Sequence, residues 1–193
     1  MPLFREPSFS RTVSRILRVN HAGEYGAVRI YGAQIAVARR LRPSLLPFLE
    51  ETIAHERRHA ALFRELMWPR GTRPCCVLPL WGLGGTALGL FTALAGTNAI
   101  MVCTEAVERA VHAHLNAQLV FLGVRDPMLS DAVRAVRDEE AGHHGHAHAA
   151  RTAFGPAARL LDAFIAGTTT VLIWCSTYGA LSRMRRKLDQ LDQ

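Results

Sequence analysis

Lysine is all but missing from this chain of 193 residues: Lys187 is the only one, so the net charge of +7 is an arginine charge. Charge of either sign is missing altogether from residues 74–104 and from residues 163–182. Each gap is as long as the roughly 20 residues that a membrane-spanning helix needs. The first gap is diluted by Gly82, Gly84, Gly85, Gly89, Gly96 and Asn98. The expectation is therefore a helix that lies along a bundle and touches a membrane interface, rather than one that crosses. Cysteine is scarce, and Cys75, Cys76, Cys103 and Cys175 show no C-x-x-C spacing. That excludes a zinc ribbon and a disulfide framework, and suits a reducing compartment. No apolar leader stands at the N-terminus, so no secretory signal is expected and a bacterial cytoplasmic setting fits best. Strand alternation and a glycine-rich phosphate loop are also missing, which makes the class all-α.

The basic residues gather at Arg5, Arg11, Arg15 and Arg18, at Arg39, Arg40 and Arg42, and at Arg183, Arg185, Arg186 and Lys187. Beside long apolar stretches they suit an anionic membrane surface. Without aromatic interleaving they give no reason to expect nucleic acid.

Apolar periodicity predicts a helix over 14–41 with Ser14 as N-cap, and a second to about residue 68 after the turn at Arg42-Pro43-Ser44. A loop follows over 69–79. The uncharged run then continues into a helix through Glu108 to Leu122, residues 123–127 turn, and another helix ends near Gly155-Pro156. A last helix is expected over 157–191. With 49% apolar residues the chain is long enough for one core. The expected layout is a tail over 1–14 and a single domain over 15–193. That domain holds two similar helix pairs (15–68 and 80–155) and the terminal helix.

Inside those stripes sit groups that an apolar face should not carry. Glu56-Arg57-Arg58-His59 and Glu140-Ala141-Gly142-His143 each put a carboxylate and an imidazole three residues apart, on one helix face. Glu24 precedes Glu56 by 32 residues, and Glu108 precedes Glu140 by the same 32. Two copies of one plan in a four-helix bundle bring four carboxylates and two imidazoles around a pair of metal ions. Oxygen-rich ligation with two imidazoles suits divalent iron or manganese. Glu56 and Glu140 would bridge, Glu24 and Glu108 would be terminal, and His59 and His143 would serve one ion each. Such a site can use dioxygen to oxidise an organic substrate.

His55-Glu56-Arg57-Arg58-His59 also matches the H-E-x-x-H signature of zinc proteases. The second copy has Glu139 where that motif needs a histidine, so the shared pattern is the di-metal one. Glu105 competes with Glu108 but falls outside the 32-residue spacing. His112 and His114 follow Glu108 by four and six residues; His112 falls near the Glu108 face and is equally well read as hydrogen-bonding a ligand or as a core histidine. His144, His146 and His148 spread around the helix axis and are expected at the surface or behind the ligands.

The segment Arg18-Val19-Asn20-His21-Ala22-Gly23-Glu24-Tyr25-Gly26-Ala27 resembles the demethoxyubiquinone hydroxylase family. So do Pro79-Leu80-Trp81, Cys103-Thr104 with Val107-Glu108, and Arg137-Asp138-Glu139-Glu140 with His143-His144. The resemblance implies a ferritin-like four-helix bundle with two additional apolar helices at a membrane interface. It implies two iron ions held by Glu24, Glu56, His59, Glu108, Glu140 and His143, with dioxygen as co-substrate and NADH as the ultimate electron source. The implied activity is ring hydroxylation of a polyprenylated demethoxyubiquinone or demethoxyubiquinol. The implied setting is the cytoplasmic face of a bacterial inner membrane. An accessory lipid-binding or other ubiquinone-biosynthesis protein and a second copy of the chain are further candidate partners. Where some relatives carry His-Tyr, this chain has His114-Leu115, so a tyrosine-mediated step is not carried over. The alternative is an iron-storage or peroxide-handling bundle on the same scaffold. A non-catalytic lipid-binding protein would in turn tolerate loss of Glu56 or Glu140.

Overall fold

The computed structural model describes residues 7–177, with no strand among them. The basic terminal residues Arg5, Arg183, Arg185, Arg186 and Lys187, and the last part of the expected final helix, lie outside the described residues. Six helices follow in order: α1 (Pro7–Leu41), α2 (Leu46–Met67), α3 (Leu78–Ala95), α4 (Thr97–Leu122), α5 (Pro127–Ala150) and α6 (Pro156–Thr177).

The helix expected from Ser14 begins earlier, at Pro7. Phe9, Val13, Ile16 and Leu17 extend the same apolar stripe into the core, and burial at that spacing keeps the chain helical. Ser14 is not a cap; its hydroxyl accepts from Thr72 Oγ1 at 3.0 Å and ties α1 to the loop after α2. The uncharged run does not continue into the Glu108 helix. Gly96, at φ +123°, breaks it, a conformation open to glycine and little else. Arg42 Nη1 donates to Ala93 O at 2.7 Å and satisfies one of the carbonyls that the break leaves free. Helix α5 starts at the expected turn: Asp126 accepts from Leu129 N, Pro127 opens the first turn, and Arg70 pairs with Asp126 at 3.2 Å. It ends at Ala150, short of the expected Gly155. Asn98 Oδ1 then accepts from the backbone N–H groups of Thr152 and Ala153, which bends the chain towards α6.

Helices α2 and α3 both pack on α1, while α5 and α6 both pack on α4. The chain thus builds two three-helix units, and equivalent site residues stand 84 positions apart, as in Glu24 and Glu108. Among the described residues three apolar clusters fill the bundle, a small one around Ile30, Val107 and Ile165 and two larger ones. Of the larger two, one holds Leu17, Phe63, Leu122, Leu129 and Val133; the other holds Tyr31, Ile35, Leu49, Ile53 and Ile100. Along α1, α2, α4 and α5, Glu24, Glu56, His59, Glu108, Glu140 and His143 fall between the residues of the two larger clusters.

The glycines of α3 have a mechanical reason. A Cβ on Gly85 would lie 2.5 Å from Gly26 O, and one on Gly89 would overlap Ile30 O. The two backbones therefore cross in direct contact. Gly89→Ala is expected to lower stability by about 1–3 kcal/mol by forcing them apart, whereas Gly84→Ala, with open space around its Cβ, should not. Thermal melting of the two variants in detergent checks this.

Helices α3 and α6 are each long and apolar enough to cross a membrane. Leu83, Phe91 and Leu94 on α3 and Leu160, Phe164 and Trp174 on α6 are exposed. Exposed apolar surface on two such helices points to membrane association, though only weakly on composition alone.

Candidate metal centre

The structure brings all six predicted site residues into one buried cluster. Glu24 comes from α1, Glu56 and His59 from α2, Glu108 from α4, and Glu140 and His143 from α5; none is more than 7% exposed. Two quartets of ligand atoms each lie within 4.8 Å of one another. One is Glu24, Glu56, His59 and Glu140; the other is Glu56, Glu108, Glu140 and His143. Glu56 and Glu140 are common to both, the positions that bridging carboxylates would take.

Both imidazoles turn Nδ1 inward. His59 Nδ1 lies 2.9 Å from Glu140 Oε1 and 3.8 Å from Glu24 Oε2. His143 Nδ1 lies 3.0 Å from Glu140 Oε2 and 3.6 Å from Glu56 Oε1. Despite the short separation, His59 Nδ1 and Glu140 Oε1 are not aligned as a hydrogen bond. With Glu56 Oε1 they are buried atoms without a hydrogen-bond partner among the described residues. Buried polar atoms that converge on one space without satisfying each other are what a ligand set leaves for a cation. Four carboxylates and two imidazoles, with no sulfur, also form the donor set that divalent iron or manganese prefers.

Electrostatics agrees with the geometry. Burial pushes the carboxyl pKa values of Glu24, Glu56 and Glu108 up, and the neighbouring carboxylates push Glu56 and Glu108 further. Burial also opposes the charged forms of His59 and Glu140. Their mutual attraction and their other partners outweigh it, raising His59 to about 10 and lowering Glu140. Without a cation, the cluster holds its charge down by keeping protons on carboxylates.

Around the six residues stands a supporting layer. Tyr31 O–H donates to Glu108 Oε1 at 2.8 Å. His59 Nε2–H donates to Glu139 Oε2 at 3.1 Å, and His143 Nε2 lies 2.9 Å from His55 Nδ1. Nothing in the sequence around Tyr31 marks this bond to Glu108, which comes from another helix. The role of Glu139 could have been suspected from its place beside Glu140. His55 belongs to neither ligand quartet, which is the arrangement a zinc-protease helix would not have.

The remaining candidates fall outside. Glu105 pairs with Arg151 Nε and His148 Nδ1, each at 2.9 Å. His112 hydrogen-bonds Asn116, and His114 accepts from Gln118, which is locked to Asn20 by a reciprocal amide pair. Burial lowers His114 to about 4, so it is neutral. His146 stacks on Phe48, and His144 stacks on His148.

A cavity of about 1020 Å³ runs between α3 and α6 and reaches Glu24, Glu56, Glu108 and Glu140. Its wall is mainly apolar, with Ile30, Trp81, Leu88, Val102, Phe164 and Leu172 among its residues.

Residues 11–176 match the family described as ubiquinone biosynthesis protein COQ7. Over 170 residues the chain is 41% identical to the NADPH-dependent 3-demethoxyubiquinone 3-hydroxylase, mitochondrial, of Mus musculus, covering 85% of this chain and 76% of that one. The human protein of the same name is likewise 41% identical over 170 residues, with the same coverage. The 3-demethoxyubiquinol 3-hydroxylase of Rhodospirillum rubrum is 40% identical over 173 residues, covering 89% of this chain and 80% of that one. With a match along nearly its whole length, the chain belongs to the ubiquinone biosynthesis protein COQ7 family.

Proposed function

We propose that this chain is a di-iron monooxygenase that hydroxylates the ring of a polyprenylated demethoxyubiquinone or demethoxyubiquinol with dioxygen. The observation that carries the reading is the apolar cavity between α3 and α6 that ends on the carboxylates of both quartets. Family membership and the relatives' names support it. Iron held by Glu24, Glu56, His59, Glu108, Glu140 and His143 would supply the dioxygen chemistry, with Glu56 and Glu140 shared between the two ions. One oxygen atom enters a ring C–H bond and the other leaves as water. The two electrons come ultimately from a reduced nicotinamide nucleotide, NADH by the resemblance and NADPH by the names of the mammalian relatives.

The chain's own part is positioning and exclusion. The cavity wall desolvates the ring and leaves the tail in apolar surroundings. The outer faces of α3 and α6 rest on the membrane that supplies the substrate. On this reading the protein is one ferritin-like domain, peripheral on the cytoplasmic face of a bacterial inner membrane. Accessory ubiquinone-biosynthesis proteins or a second copy of the chain would dock away from the cavity mouth.

Deleting the gene tests the reading: ubiquinone should fall and the demethoxy precursor accumulate. An unchanged quinone profile would favour the iron-storage alternative, which has no use for an apolar cavity. Gly84 lines the cavity and has open space around its Cβ. Gly84→Trp should therefore keep its metal yet lose about tenfold or more in kcat/KM for a tailed substrate, measured by product formation under saturating reductant.

A further inference from the structure

We infer that the two metal positions are unequal, with the ion served by His59 held more tightly than the ion served by His143. The cause is that Glu139 and His55 back the two histidines with different chemistry. The inference rests on the di-metal reading above.

The 84-residue repeat sets the comparison. His55 and Glu139 are equivalent positions, each immediately before a shared carboxylate, Glu56 or Glu140. Each reaches across to the other unit's histidine: Glu139 to His59 Nε2 at 3.1 Å, and His55 to His143 Nε2 at 2.9 Å. With Nδ1 of both histidines facing the ions, both Nε2 atoms must carry hydrogen. His59 then donates to a carboxylate, which Arg58 also holds at 3.2 Å. His143 donates to the His55 ring, whose Nδ1 also lies 3.6 Å from the same Glu139 oxygen, so the carboxylate touches His59 directly and reaches His143 only through a second ring. A charged acceptor polarises the donor ring more strongly than a neutral one, so His59 becomes the better electron donor to its ion. Outer partners of this kind are worth about 10- to 100-fold in metal affinity. The Glu139 side chain is 44% exposed, so solvent screening places the effect near the lower end.

Tyr31 adds a second asymmetry, because its counterpart 84 residues on is Leu115, which offers no hydroxyl to Glu24. The Tyr31 bond weakens Glu108 as a donor but fixes its orientation. These effects oppose, and they do not reverse an order set by a charged acceptor.

The test is an anaerobic titration of the purified, detergent-extracted chain with iron-57 as Fe(II), followed by Mössbauer spectroscopy. One ferrous environment should fill first, with affinities differing about tenfold. Repulsion between two ions also gives stepwise binding, but it would populate both environments equally in singly loaded molecules. Glu139→Gln should weaken and shift the first-filled environment more than the second, which feels Glu139 only through His55. Glu139→His, which copies the other unit, should make the two converge. His55→Gln, which keeps a neutral acceptor, should leave the filling order intact. Thermal melting of each metal-free variant separates these effects from misfolding. Equal filling in the unaltered chain, or equal weakening of both environments by Glu139→Gln, overturns the inequality. Failure of the unaltered chain to take up iron at all overturns the di-metal reading itself.

Discussion

Glu140→Ala is expected to abolish ring hydroxylation and to cut iron from about two ions per chain to well under one. Glu140 belongs to both ligand quartets, and its two oxygens face both histidines. Its loss therefore damages both metal positions at once, whereas removing Glu24 or Glu108 damages one. Metal analysis beside a turnover assay checks the result. One zinc per chain, kept in Glu140→Ala and lost in His55→Ala, would contradict it. Glu56→Gln should show the other side of the same cluster. It too should lose metal, but its metal-free form should melt higher than the unaltered metal-free chain. The reason is that Glu56 is 1% exposed among other carboxylates, and an amide there is neutral without taking up the proton that burial and its neighbours otherwise demand on folding.

The pH dependence of stability should reverse sign when metal is removed. In the metal-free protein the pKa values of Glu24, Glu56 and Glu108 are raised by burial, so the folded state holds protons that the unfolded chain releases. Their contribution is full below the ordinary carboxylate range and is lost as pH rises through the raised values. His59, raised to about 10, acts in the same direction: its contribution is full below the ordinary histidine value and is lost towards that pH. Glu140 is lowered, so it opposes the others only on the acid side, where its contribution disappears as pH falls. Between about pH 6 and 9 the metal-free chain should therefore lose stability, by about 1.4 kcal/mol per pH unit for each proton the folded state retains. With iron bound, protons compete with the metal for the same atoms, and stability should instead fall as pH drops. Thermal melts with iron and with chelator across that range decide it. Parallel slopes would mean that the cluster does not bind metal.

The site was legible because its residue types contradict their surroundings. A glutamate within an apolar stripe has to be explained, and the repeated 32-residue spacing pointed to one explanation for all six. The helix faces were legible for the same reason, since Leu49, Ile53 and Phe63 recur at helical steps and are buried. The start of α1 was missed because Ser14 is a good N-cap by type, and only the tertiary burial of Phe9 and Val13 overrides it. The break at Gly96 was missed because one glycine among several in an uncharged run carries no local mark of a positive φ. Contacts such as Glu139 with His59 and Tyr31 with Glu108 join residues 80 and 77 positions apart. No spacing rule within one helix reaches that far.

The glycine seam of α3 has a consequence for how the cavity can flex. Backbone in contact with backbone leaves α3 no room to shift against α1. Helix α6, by contrast, buries only Ile165, Ser176 and Thr177 among its described residues. One wall of the cavity is thus seated backbone to backbone and the other held by few buried side chains, and in detergent amide exchange is expected to be faster along the second. On the proposed reading, the slot between them grips the ring and lets the isoprenoid chain trail out sideways. Such a protein carries no ruler for its substrate, and analogues with tails of different lengths should compete for it on nearly equal terms once the first few isoprene units are inside.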